Sequence, residues 1–168
     1  MKTKLIITLF LALIIFFAGC EKNEQVTGNG EENNDIINNE FPESQSEIQE
    51  VLNGIFQSIQ NKDADKLISY HVYGPKFTEF RDSEPRTGHE ANEEYERGLI
   101  AAISSFEYDL NDLKIDVFGQ VAVVTFHADF RPVIEGNTIQ IHGGVTLIFV
   151  KTDSGWKITH EHFSPLNI

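Results

Sequence analysis

The sharpest polar feature of the sequence is the run Trp156-Lys157-Ile158-Thr159-His160-Glu161-His162-Phe163. Two imidazoles flank a carboxylate there, and imidazole is the side chain whose ordinary proton affinity lies nearest neutrality. In an extended strand successive side chains point to opposite faces, so alternation groups His160 and His162 with Trp156 and Ile158, and Glu161 with Lys157 and Thr159. Three roles fit the two histidines: packing at a core or subunit surface, ligand binding or acid–base work, or metal ligation. A metal requires a third ligand, and no spacing fixes His127 or His142 nearby; the paired-histidine helix of zinc proteases is missing because Glu93 stands four residues after His89. Neither a metal nor a cofactor is expected. His71 is open to the same choice between a boundary or core role and a functional one. The candidate pocket residues are His71, Tyr95, Trp156, His160, Glu161 and His162.

These residues must be positioned by helices first and strands second. Ile48, Val51, Leu52, Ile55, Phe56 and Ile59 recur at the spacing of an amphipathic helix, with Ser44 or Ser46 available as its N-cap. Gly54 weakens that helix by about 1 kcal/mol relative to Ala, and the apolar stripe outweighs it. Asp63 caps a second short helix that runs through Leu67, Ile68 and His71 to the stop Gly74-Pro75, and 77–80 is a brief extended piece. A third helix from His89 or Glu90 to Ser104 carries Tyr95, Leu99, Ile100 and Ile103 inward. Segments 106–117, 121–134, 138–150 and 156–163 are rich in β-branched and aromatic residues, with turns at Gly119-Gln120, Glu135-Gly136-Asn137 and Asp153-Ser154-Gly155. Short turns imply antiparallel pairing, and helices followed by a meander give an α+β domain. Residues 121–126 and 145–150 are apolar on both parities. One sheet face therefore takes the helices and the other meets a second subunit, so a homodimer is expected.

Cys20 is the only cysteine, and it follows an apolar run that begins after Lys2 and Lys4 and ends in Phe17-Ala18-Gly19. A basic start, a short apolar core and small residues before a cut site make a secretory signal. Its ending in Ala-Gly-Cys resembles the bacterial lipoprotein signal, in which the cysteine sulfur takes a diacylglycerol and the chain is cut before it; Phe17 replaces the usual leucine. The resemblance implies a mature chain that starts at acylated Cys20 and is held to a bacterial membrane on its extracytoplasmic side, because two acyl chains anchor stably where one does not. The expected organisation is a signal peptide over 1–19, a disordered tether over 20–44 spanning roughly 25–30 Å, and one domain over 45–168.

Charge narrows the partners. The chain holds 26 acidic against 13 basic side chains, a net charge of -13, and removing the leader takes two lysines away. Such a field repels phosphate backbones, so no nucleic acid is expected, and a polybasic membrane contact is excluded with it.

The order of elements resembles the nuclear transport factor 2-like superfamily. The residues that carry the resemblance are the opening helix with Asn61-Lys62-Asp63, the stretch from Tyr70 to Phe80, the segment 117–124, and above all Gly155 through Ser164, which is similar to the closing strand of SnoaL-like proteins and of the calcium/calmodulin-dependent kinase II association domain. The resemblance covers about 44–166 and implies three helices packed on a curved, mostly antiparallel sheet that forms a cone around a central pocket. It puts Glu161 and Phe163 toward that pocket, opposite to simple alternation. The superfamily hosts isomerases, hydrolases, interaction modules and transport factors, so fold alone assigns no chemistry. Ketosteroid isomerases in it use a carboxylate base with a tyrosine and a protonated acid; Tyr70, Tyr73, Tyr95, Asp109, Asp129 and Glu161 are available here, and no spacing pins them to those roles. The pocket arginines of the association domain fall on Ala128, Ile148 and Phe163, which implies a small, largely apolar ligand or none. An oligomerisation module and an isomerase or hydrolase using His160, Glu161 or His162 are the alternatives to ligand binding.

Overall fold

The computed structural model describes residues 35–167. Cys20, the 1–19 leader and residues 20–34 of the expected tether lie outside the described residues.

The first helix, α1 (Pro42–Gln60), buries Ile48, Leu52, Ile55 and Phe56 along the stripe that the spacing identifies. It starts before Ser44, because Pro42 at the first helical turn has a backbone already set for the helix and lacks an N–H that would go unpaired. Residues 42–44 are thus helix rather than tether. Gly54 has a packing reason: a Cβ there would collide with the phenol of Tyr70, which lies against the helix. Asp63 caps α2 (Ala64–Ile68) by accepting the Lys66 N–H at 2.9 Å.

The helix ends at Ile68, so the expected extension through His71 is not formed. The backbone leaves to join the sheet instead: Ile158 N–H donates to Tyr70 O at 2.9 Å and Val72 N–H to Ile158 O at 2.8 Å. These two long-range bonds hold the short stretch that carries His71 beside the last strand. The extended piece follows as β1 (Thr78–Arg81). A loop with left-handed Asp82 and Ser83 then leads to α3 (His89–Ala102).

The chain passes from α3 straight into β2 (Ile103–Phe118), so Ile103 opens a strand instead of closing a helix. Next come β3 (Val121–Ile134), the two-residue β4 (Asn137–Thr138), β5 (Ile141–Thr152) and β6 (Gly155–Pro165). The expected turns separate them, with a further break at Ile139 and Gln140. The strand order is β1-β6-β5-β3-β2, with β4 on β3. All pairs are antiparallel except β1 with β6, which makes the sheet mixed. Its inner face presents Ala122, Val124, Phe126, Leu147, Phe149, Trp156 and Ile158, all buried with the apolar residues of α1. The outer face carries apolar residues of the same two strands, as the sequence suggests. Val123 and Ile148 are half-buried there and Val121 is exposed.

Candidate functional site

One extra residue in β6 decides which side chains reach the interior. Phe149 of β5 pairs with Ile158, whereas the preceding Ile148 pairs with His160, so Thr159 is a bulge. A bulge breaks strict alternation. Trp156 and Ile158 point inward before it, Glu161 and Phe163 point inward after it, and the two histidines do not. This corrects the grouping of His160 and His162 with Trp156 and Ile158. His160 Nδ1 hydrogen-bonds the Thr78 hydroxyl at 2.8 Å, and the exposed Phe80 ring lies about 6 Å from both imidazoles. Burial, then the neighbouring His162, holds the proton affinity of His160 below its ordinary value. His162 is exposed and borders the cavity described below. Trp156 is core: its indole N–H donates to Glu47 at 2.9 Å.

Glu161 instead meets a polar cluster contributed by three parts of the chain. The Nε2–H of His71 donates to its Oε1 at 2.9 Å, and the Asn92 amide of α3 donates to its Oε2 at 3.0 Å. One turn along α3, Glu96 places Oε1 at 3.5 Å from His71 Nε2 and its other oxygen at 3.3 Å from the Tyr73 hydroxyl, which also bonds Asn92. His71 stacks on Tyr73 at 5.0 Å and its side chain is fully buried. Its Nδ1 has no hydrogen-bond partner among the described residues, and Nε2 is the nitrogen that shares a proton with Glu161.

The two carboxylates differ in environment. Burial pushes Glu96 up to about 7, reinforced by the charge of Glu161 and opposed by His71, Tyr73 and Arg81. Glu161 is penalised by burial too, yet the hydrogen bonds from His71 and Asn92 and the charges of His71 and Arg81 outweigh it and hold this carboxyl below its usual range. For His71, burial favours the neutral ring, but the hydrogen bond to Glu161 and the charges of both glutamates leave its proton held more tightly than usual. The cluster therefore sets a readily ionised carboxylate beside one that keeps its proton near neutrality.

His71, Glu96 and Glu161 also offer three potential ligand atoms within 4.8 Å of one another. A metal-bound imidazole almost always donates its second N–H to an acceptor, and Nδ1 of His71 has none among the described residues. The donor set fits a proton-sharing triad better than a metal centre.

Both carboxylates line a cavity of about 230 Å³. Its walls are aromatic and aliphatic: Phe56 lies 6.3 Å from Phe126 and 5.9 Å from Phe130, and Phe106 lies 5.5 Å from Phe130. Phe163 fills space that only a glycine at 143 leaves open on β5, since a Cβ there would strike its ring. Arg81 and Tyr95 also line it, with the guanidinium stacked 3.1 Å from the centre of the phenol ring. Arg81 is ion-paired to Glu79, which accepts a further bond from Thr87 at 3.0 Å.

A SnoaL-like domain model matches residues 48–168. The chain belongs to the SnoaL-like family. Solved structures similar to this SnoaL-like domain include a candidate dehydratase of the NTF2-like family from Streptomyces avermitilis, 16% identical over 76% of this chain and 99% of that one, with a TM-score of 0.68. An NTF2-like superfamily protein from Salmonella enterica is 22% identical over 76% and 94%, with a TM-score of 0.66. A candidate calcium/calmodulin dependent protein kinase II association domain from Xanthomonas campestris is 15% identical over 71% and 86%, with a TM-score of 0.61. None of the curated proteins matches in sequence. At these identities the likeness establishes the fold, as the sequence resemblance implies.

Of the six candidate residues, the SnoaL-like domain brings His71 and Glu161 together, puts Tyr95 and His162 at the cavity, and leaves Trp156 and His160 elsewhere. Tyr95 is 46% exposed rather than inward. Asn92 and Glu96 escape sequence reasoning. Their signal is positional: they stand four apart on α3 and continue the inward side to Leu99 and Ile103 at helical spacing. Polar residues on such a stripe mark either a satisfied core network or a site.

Proposed function

We propose that this SnoaL-like domain is anchored outside the cytoplasm through acylated Cys20 and binds a small, largely apolar molecule in the cavity. The observation that carries the binding reading is a cavity with apolar walls and two differently tuned carboxylates among its lining residues. Such a site takes a hydrophobic body and orients it by one polar group. Native mass spectrometry of the protein purified from its own membrane should show a bound small molecule, on a dimer in which a second copy covers the outer sheet face. Val145→Phe, which puts a ring into the cavity, should lose that molecule while keeping the fold. An empty wild-type cavity, or retention of the ligand in the variant, contradicts the binding reading; a monomer contradicts the dimer. For the anchor, Cys20→Ala should abolish acylation and move the protein from the membrane fraction to the soluble one, and wild-type protein without acyl groups would refute it.

A second reading rests on the carboxylate pair. Groups whose environments push their proton affinities apart are suited to divide acid and base roles. Glu161, kept ionised, takes a proton from the bound molecule, and Glu96, protonated near neutrality, returns one. His71, Asn92 and Tyr73 hold the two in place. This supports an isomerisation or elimination, in keeping with the dehydratase proposed for the Streptomyces relative. A non-catalytic interaction module is the outcome left if neither ligand nor turnover is found.

A further inference from the structure

The charged groups around the cavity are unequally divided. Glu79, Asp82, Glu96 and Glu161 line it, and Arg81 is the one Lys or Arg among the described lining residues. Arg81 is committed, since Glu79 pairs with it and Tyr95 lies under it. Even with His71 protonated behind Glu161, acids outnumber cations. A ligand carboxylate or phosphate would meet this excess, with the exposed His162 imidazole at the edge of the cavity as the one uncommitted basic group among the described lining residues. Glu161 already has a donor on each oxygen. Among the described residues Glu96 does not: His71 at 3.5 Å is too far for a good hydrogen bond, and its other oxygen has only the long contact with Tyr73.

We propose that the cavity selects a cationic amphiphile, a molecule with an aromatic or aliphatic body and a protonated amine, and that the ammonium donates to Glu96. The selection rests on the cavity reading above and adds the sign of charge to it. The phenylalanine walls take the body, and Glu96 together with the net acidic field of Glu79, Asp82 and Glu161 takes the charge. A buried carboxylate discriminates in this way because attraction for a cation and repulsion of an anion both act at low effective dielectric.

The amine also has a pH signature. Glu96 is faced by His71 and Tyr73 from the stretch before β1, by Arg81 of β1 and by Glu161 of β6, and Asn92 stands one turn before it on its own helix. With its proton held up to about 7, Glu96 ionises as pH rises from 6 to 8, while an alkylamine stays charged throughout. Amine affinity should therefore rise about tenfold across that interval, the increase in the ionised fraction.

The test is isothermal titration of the lipid-free chain beginning at residue 21 with three probes of one shape: phenylpropylamine, phenylpropanol and phenylpropionate. The amine should bind at least tenfold more tightly than the alcohol at pH 8, and the carboxylate least. Glu96→Gln should cancel the amine's advantage over the alcohol and its pH dependence, with thermal unfolding checking that the variant keeps its fold. Equal or tighter binding of the alcohol or carboxylate overturns the charge selection and leaves the cavity reading standing. An amine preference undiminished in Glu96→Gln overturns the role of Glu96. If none of the three binds to wild-type protein, the cavity reading and the selection fall together.

Discussion

Glu96→Gln should stabilise the domain by about 3 kcal/mol near pH 8 and leave it almost unchanged near pH 4. The reason is the raised proton affinity of Glu96, from the ordinary 4.5 to about 7, with each tenfold change in that affinity corresponding to about 1.4 kcal/mol. The folded state holds this proton more tightly than the unfolded chain. Its contribution to stability is thus fully present below about pH 4.5 and is lost as pH rises through about 7. Glutamine imitates the protonated carboxyl, and its amide can donate to the Tyr73 hydroxyl oxygen as that carboxyl does, so it removes the alkaline penalty alone. Denaturant unfolding of both proteins across that range checks the difference. Curves that run parallel would show that Glu96 is solvated like a surface acid. A gain in stability from removing a charged group is what a site maintained for binding or catalysis predicts.

Asn92→Ala should have the opposite effect, a loss of about 3 kcal/mol and a fall in Tm on the order of 10 °C. Asn92 is fully buried and is the bridge of the cluster: it donates to Glu161 and accepts from Tyr73. A hydrogen bond to a charged group contributes about 1.5–3 kcal/mol, and the polar atoms left without partners add to the loss. Glu161 loses one of the donors that keep it ionised, so the deficit should be larger at neutral pH than in acid, where that carboxylate is protonated in both proteins. Thermal unfolding at two pH values measures this. A pH-independent loss below 1 kcal/mol would mean that Asn92 merely fills space.

Sequence periodicity captures α1 because Ile48, Leu52, Ile55 and Phe56 all fall on one dominant face. It captures the hairpins because Gly119, Gly136 and Gly155 adopt left-handed backbone angles that turns demand. It fails where a long-range contact overrides a local preference. His71 follows a helical stretch, yet hydrogen bonding to Ile158 extends the backbone around it and delivers the imidazole to Glu161. The orientation of Glu161 depends on the bulge at Thr159, and no residue there signals a bulge. Resemblance to the association domain places Glu161 and Phe163 toward the pocket where alternation does not. Asn92 and Glu96 are hidden for another reason: an apolar stripe is read by its hydrophobic members, and Tyr95, the conspicuous aromatic on α3, lies mostly toward the cavity mouth and solvent. The anchor at Cys20 is the part of the functional reading carried by sequence alone.

The central claim is that the fold sets two facing carboxyls, Glu96 and Glu161, apart in proton affinity beside an apolar cavity. Carboxyl-carbon NMR of selectively labelled glutamate, with Glu96→Gln and Glu161→Gln assigning the two signals, follows each through its own titration. The account predicts that Glu96 titrates near pH 7 while Glu161 stays ionised to below the usual carboxylate range. Both signals titrating together near 4.5, as exposed glutamates do, would contradict it.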